Sequence, residues 1–358
     1  MSGAGRRAHR AAVALAVAVA ACAGNGRTPR VPLVDATPVD TGDDGSGRLL
    51  RELELEVLSS YGRLSLDPAS AAAAIDPAVG LTAIGVGPDE LGASSGLAAR
   101  WPVTEVAGQQ ATAVSRALEL HLSADRTVAW TFDQLSLHVP VCGRTATVPL
   151  RVAQVYVRDN ERWTMVSEHL GYAQSMGRWL DAARGPTGGA MPSAIERQPE
   201  SAAALEALTG AFTIAGDRDA TWDTGADALA AWPDPLQVLR GGAVRTGPSL
   251  ATSLDATALG PEGTRLALGP TRQVAIAATT LLATVDRAAG PVDVRLRATA
   301  VRERGADDHW RVRMAMVSAP ITVAALVGRT IGVVATSVTG SRVTVGCASA
   351  PGAVARAP

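Results

Sequence analysis

The chain has 358 residues, 33 basic and 34 acidic side chains, a formal net charge of −1, and no lysine. A near-neutral chain without a clustered basic patch argues against a nucleic-acid partner, and its length suits two domains of about 100–200 residues each behind an N-terminal segment. The three cysteines, Cys22, Cys142 and Cys347, form neither a CxxC pair nor a His/Cys cluster, so no metal and no cofactor are expected.

Met1–Arg10 is short and basic, and Ala11–Ala21 is an unbroken run of eleven Ala, Val and Leu residues. Such a run is a secretory h-region and falls short of the ~20 residues that span a bilayer. It ends in Val19-Ala20-Ala21-Cys22, small residues before a cysteine. Residues 1–21 are therefore predicted to be a lipoprotein signal peptide, with Cys22 as the lipidated first residue of an exported protein. That protein would be membrane-anchored in the periplasm or on the cell surface. An ordinary signal peptide with Cys22 incidental is the alternative. In an oxidising compartment Cys142 and Cys347 are a candidate disulfide; two separate small hydrophobes are the other reading.

Residues 22–47 are rich in Pro, Gly, Thr and Asp and read as a flexible tether. Helical spacing of Leu49, Leu50, Leu53, Val57 and Leu58 then predicts a helix from about Arg48, with a second Ala-rich segment over Ala71–Val79. Leu81–Val86 reads as a brief strand ending at Gly87-Pro88. Four longer strands are expected at Ala113–Ser123, Thr127–Val139, Thr145–Arg158 and Arg162–Tyr172, as an antiparallel meander. Helices followed by long strands indicate an α+β layer over residues 48–178. Residues 179–200 hold several Gly and Pro and form the expected linker.

The pattern repeats over 201–347. Ala202–Phe212 is helical in pattern, a short apolar stretch ends at Gly241-Gly242, and strands are expected at Arg272–Val285, Val292–Arg302 and Trp310–Ile321. Arg126, Val128, Ala129, Leu135 and Val139 match Arg272, Val274, Ala275, Leu281 and Val285 at an offset of 146, and Trp163 matches Trp310 one residue later. Duplication explains this order. Arg329–Gly346 reads as an added hairpin about Thr339-Gly340, and 348–358 as a disordered tail.

Three stretches carry a family resemblance: Asp125-Arg-Thr-Val-Ala-Trp130, Arg151-Val-Ala-Gln-Val-Tyr-Val-Arg158, and Arg162-Trp-Thr-Met-Val-Ser-Glu-His-Leu170. They resemble SnoaL-like domains of the nuclear transport factor 2-like superfamily over about 48–174, and more weakly over 200–327, where Met316 stands in place of His169. The resemblance implies two tandem cone-shaped curved antiparallel sheets, each wrapped by N-terminal helices around a pocket. It also implies that the copies could pair sheet to sheet as an intramolecular pseudo-dimer.

Within this frame, strand alternation puts Trp163, Met165, Ser167 and His169 on one face and Thr164, Val166, Glu168 and Leu170 on the other. His169 is a candidate titratable pocket group or a structural histidine. Tyr61 is comparable with the helix tyrosine of related ketosteroid isomerases, with Asp89, Glu90 or Asp133 as the carboxylate; packing with its hydroxyl in water is the alternative. Trp130, Phe132 and Trp163 either line an apolar pocket or are plain core. Arg151 either pairs with Glu168 or binds an anionic ligand group. These residues favour a lipid-anchored, non-catalytic protein that binds a small, largely apolar molecule or is structural. The rivals are an isomerase- or cyclase-like enzyme using Tyr61 or His169, and a protein-interaction module.

Overall fold

Leu49, Leu53, Val57 and Tyr61 recur every four residues and are all buried, which makes one stripe of the helix α1 (Ser46–Leu64) an apolar face; Leu55, on the opposite side, is half exposed. The computed structural model describes residues 45–64, 82–88, 90–93, 112–141, 144–182, 185–186, 188–196, 222–223, 225–234, 236–322, 325, 335–339 and 342–345. All of them lie in one compact unit, Val34–Pro358. Cys22, Cys142, Cys347, Asp89, the Ala71–Val79 segment, the predicted helix over Ala202–Phe212 and the tail 348–358 lie outside the described residues.

The first half builds one seven-stranded sheet from β1 (Thr82–Ile84), β2 (Leu91–Ala93), β3 (Thr112–Ser115), β4 (Glu119–Leu122), β5 (Val128–Val141), β6 (Arg144–Asp159) and β7 (Arg162–Tyr172). Its order is β2-β1-β7-β6-β5-β3, with β4 also on β5. The meander β5-β6-β7 is antiparallel, as its β-branched runs and turn dipeptides predict. Asn160 and Glu161, at φ 45° and 66°, connect Asp159 to its partner Arg162 in a two-residue turn whose twist matches that of the strands. The short β1 joins the edge of β7 in parallel, so the sheet is mixed rather than wholly antiparallel.

The strand expected over Ala113–Ser123 is two strands, because the chain bends at Arg116-Ala117. The Asp133 carboxylate accepts from both of these amides, Arg116 N at 3.4 Å and Ala117 N at 3.2 Å, and fixes the bend. The helix α2 (Met176–Ala182) runs into the stretch expected as a linker, 179–200, whose described residues also include a strand, β8 (Ala194–Glu196), that pairs in parallel with the second sheet.

The second half contributes β9 (Leu229–Ala231), β10 (Val238–Arg240), α3 (Ala243–Thr246), α4 (Leu250–Leu254), β11 (Ala256–Leu268), β12 (Val274–Val285), β13 (Val292–Arg304) and β14 (Trp310–Ser318). The order β10-β9-β14-β13-β12-β11-β8 repeats that of the first sheet with β8 added. The long strand β11 is absent from the expectation because Gly260-Pro261-Glu262-Gly263 reads as a turn. The chain absorbs it as an irregularity between Pro261 and Gly263 while pairing continues on β12. A final hairpin, β15 (Ala335–Thr339) with β16 (Arg342–Val345), stands where the sequence places it.

The fold is thus mixed α+β with two open sheets, each resembling a cone of the predicted kind. Among the described residues three large apolar clusters hold it, beside a small one of Ile84, Met191 and Ala278. One lies under α1 on the concave face of the first sheet, and another fills the concave face of the second. The third joins Val128, Trp130, Phe132, Ala153 and Val155 of the first sheet to Val274, Ile276, Val301, Met314 and Met316 of the second, so the convex faces pack together. Trp130 and Phe132 are at most 1% exposed there, and each contributes about 2–3 kcal/mol by burial.

Candidate functional site

The concave face of the first half gathers a set of polar side chains that its strands would otherwise have no reason to bury. Tyr61 comes from α1, Asp133 from β5, Gln154 and Tyr156 from β6, and Glu168 from β7, and all five are 6% exposed or less. They form two connected groups. The Tyr156 hydroxyl donates to Gln154 Oε1 at 2.9 Å, and Gln154 Nε2 donates to Glu168 Oε1 at 2.9 Å. The Tyr61 phenol lies against the Asp133 carboxyl.

Burial, then the charge of Asp133, then Tyr156 and Glu168 push the Tyr61 phenol well above its ordinary value. Burial likewise raises Asp133, against hydrogen bonds from Ser115, Tyr61 and the Arg116 and Ala117 amides that favour its charged form. Chemically, the cluster can accept and donate hydrogen bonds to one polar end of a guest, with Leu53, Val57, Val86 and Leu170 supplying apolar surroundings.

A β-bulge decides which residues share this face. Val155 pairs with Ser167 and Tyr156 with Met165, so Val166 has no opposite number and the alternation of β7 slips by one. Trp163 and Met165 therefore pack with the concave cluster, alongside Glu168 and Leu170. Ser167 and His169 turn to the convex face. The expected grouping of Trp163, Ser167 and His169 on one face does not occur, and Tyr61 is joined by Trp163 but not by Trp130 or His169.

His169 is fully buried between the sheets, with Nε2 2.7 Å from Ser318 Oγ of the second half. Burial and the nearby Arg297 guanidinium push it down to about 3, so it is neutral at ordinary pH. Arg151 does not pair with Glu168, because they lie on opposite faces of the sheet. Its Nη1 donates to the Trp232 carbonyl of the second half. Glu90 caps a turn by accepting from Gly87 N at 2.8 Å. Gln154 and Tyr156 were missed because β6 reads as apolar on both faces; the only signal for them was the single glutamine in that run.

A shallow groove of about 400 Å³ at the start of α1 is lined in part by Arg48, Asp125, Arg126 and Arg158. Arg48 pairs with Glu52 and Asp125 accepts from Ser123, Thr127 and Thr271, so much of its charge is spent within the protein. Among the described residues no group of His, Cys, Asp and Glu could hold a metal ion, and no helix is long and apolar enough to cross a membrane.

Residues 80–175 match the model of a family described as "SnoaL-like domain". This stretch is a SnoaL-like domain. No curated protein matches the chain. Among solved structures, a nuclear transport factor 2-like superfamily protein of Salmonella enterica serovar Typhimurium is 14% identical, with a TM-score of 0.28 over 34% of this chain and 90% of that one. The association domain of C. elegans CaMKII is 12% identical, with a TM-score of 0.28 over 36% and 98%. A candidate ketosteroid isomerase of Shewanella frigidimarina is 14% identical, with a TM-score of 0.26 over 35% and 98%. The polar cluster belongs to the SnoaL-like domain except for Tyr61, which α1 adds from outside the matched stretch.

Proposed function

We propose that the chain is an exported lipoprotein, anchored through Cys22, whose SnoaL-like half binds a small, largely apolar molecule without turning it over. The second half is a divergent copy that serves as a built-in partner. One observation carries the binding reading: the hydrogen-bonded Gln154–Glu168 pair has no polar counterpart in the second half. At offsets of 146 and 147, Gln154 and Glu168 correspond to Ala300 and Ala315, while Tyr156 corresponds to the buried Arg302 and Asp133 to the buried Thr279, among apolar side chains such as Trp222, Trp310 and Leu296. A half that needed its polar groups only to fold would have no reason to differ from its copy in this way.

Duplication is supported by the repeated sheet order and by a bulge at matching positions, Val166 in β7 and Arg313 in β14. Native mass spectrometry of the full chain, released from membranes, tests the binding reading. A reproducible extra mass that disappears on denaturation supports it, and a bare protein mass counts against it. Anchoring has a separate test: a Cys22→Ser chain leaves the membrane fraction.

An isomerase- or cyclase-like reaction is favoured by one feature, the buried Tyr61 phenol beside Asp133, a pairing that suits hydrogen bonding to a developing enolate. Against it, Asp133 already accepts from two backbone amides that fix the β3–β4 bend, which makes it a structural acceptor first.

A further inference from the structure

Part of the charge in the groove at the start of α1 is not spent within the protein. Three segments bring a guanidinium to it: Arg48 from α1, Arg126 from the turn before β5, and Arg158 from the end of β6. Arg158 is loosely held. Its Nη2 stands 3.9 Å from Glu52 Oε2, too far for a hydrogen bond, and its Nε is buried without a hydrogen-bond partner among the described residues. The second half treats the matching residue differently. At the offset of 146, Arg304 stands for Arg158, and its Nη2 is 2.5 Å from Asp308 Oδ1. Glu161 holds the place of Asp308 at an offset of 147, yet it is exposed and makes no ion pair with Arg158.

The geometry points to this groove as a binding site for a phosphate-bearing anion, gripped by Arg158 and flanked by Arg126 and Arg48. A guanidinium presents its donors as a planar fork that matches two phosphate oxygens at once. Arg48 is 65% exposed and pairs with Glu52 one turn along α1, a surface pair of little strength, so turning toward a ligand costs it little. Two carboxylates in the lining oppose an anion. Asp125 already accepts from Ser123, Thr127 and Thr271, which spreads its charge, and Glu161 is exposed, where solvent screens it. At about 400 Å³ the groove has room for a phosphate with an organic substituent. The phosphate has two sources, a soluble ester or, on the anchoring reading above, a lipid headgroup. The inference does not depend on the guest proposed for the buried cluster.

The test titrates the full chain, produced without lipidation, with inorganic phosphate at constant ionic strength, read by calorimetry and by the NMR signal of the Arg158 Nε–H. Saturable binding that shifts this signal is expected. Arg158→Gln weakens it about tenfold or more, Glu161→Gln strengthens it, and Arg304→Gln, in the second half, leaves it unchanged. Arg126→Gln is a second weakening variant in case the Arg158 chain does not fold. Flotation with phosphatidylcholine vesicles, with and without phosphatidylglycerol, separates the sources. Flotation on the anionic vesicles alone, lost in Arg158→Gln, assigns a lipid headgroup, and phosphate binding without flotation assigns a soluble ester. Absence of saturable phosphate binding by the wild type, or equal binding by a folded Arg158→Gln chain, overturns the inference and leaves the reading of the buried cluster untouched.

Discussion

Arg151 and Arg297 occupy equivalent positions, 146 residues apart, and each reaches across the shared face to a turn of the other half. Arg151 Nη1 donates to the Trp232 carbonyl after β9. Arg297 Nη1 donates to the Gly87 carbonyl at 2.6 Å, and its Nη2 to the Pro88 carbonyl, after β1. Such reciprocity resembles that of a two-fold interface between identical subunits, as the proposed duplication would give. Both side chains are 3% exposed or less, and Trp232 and Gly87, whose carbonyls they serve, are buried residues.

Arg297→Ala therefore strands buried carbonyls of the β1–β2 turn, and the expected cost is about 2–4 kcal/mol in a urea unfolding curve. Arg151→Ala strands the Trp232 carbonyl and is expected to destabilise in the same sense. A loss below about 0.5 kcal/mol for Arg297→Ala would place the turn's stability elsewhere.

Gly171 and Ser318 are a second equivalent pair, and they face each other. A Cβ at Gly171 would stand 2.8 Å from Ser318 Cβ and 2.9 Å from Met316 Cε. Gly171→Ala is expected to destabilise by about 1–3 kcal/mol through overpacking. Adding Ser318→Gly to it restores part of that loss by making room. Thermal unfolding of the two single variants and the double variant measures the coupling, and simple additivity would contradict a direct clash.

Acid sensitivity follows from His169. Its folded value is about 3 and its ordinary value 6.5, so between these the unfolded chain binds a proton that the folded chain refuses. Stability is then complete above about 6.5 and declines as pH falls toward 3. Asp133 and Glu303, both raised by burial, act in the opposite sense as they take up protons. His169→Gln isolates the histidine. It keeps a partner for Ser318 and should flatten the loss of urea midpoint between pH 7.5 and pH 5, values chosen about one unit or more to either side of 6.5. An equal loss in both chains would mean that His169 does not titrate on unfolding.

Asp133 separates a structural carboxylate from a reactive one. Asp133→Asn keeps an oxygen for the Arg116 and Ala117 amides and should cost less than about 1 kcal/mol, while Asp133→Ala should cost about 1–3 kcal/mol. If the asparagine variant folds normally and still carries the bound molecule, a base at this position is unnecessary.

Much of this architecture is legible in the sequence. The strands β5, β6 and β7 fall within two residues of where their β-branched runs and turn dipeptides place them, and Trp163 and Trp310 stand near the starts of β7 and β14. What the sequence concealed is local backbone detail with large consequences. One unpaired residue, Val166, reverses the faces of everything after it in β7 and sends His169 to the sheet interface. The partner of Arg151 was equally hidden, because it is a backbone carbonyl 81 residues away rather than an acid on the next strand. Strand alternation reveals faces only while the register holds.

On the proposed reading, the cluster of Gln154, Tyr156 and Glu168 equips the first half to hold a guest that the second cannot hold. The most direct test converts the first half to the residues of the second, with Gln154→Ala and Glu168→Ala together in the full chain, followed by native mass spectrometry beside the wild type. The wild type is expected to carry a small-molecule mass, and the converted chain, folded by its circular dichroism spectrum, to carry none. A converted chain that retains the same mass at the same occupancy would contradict it.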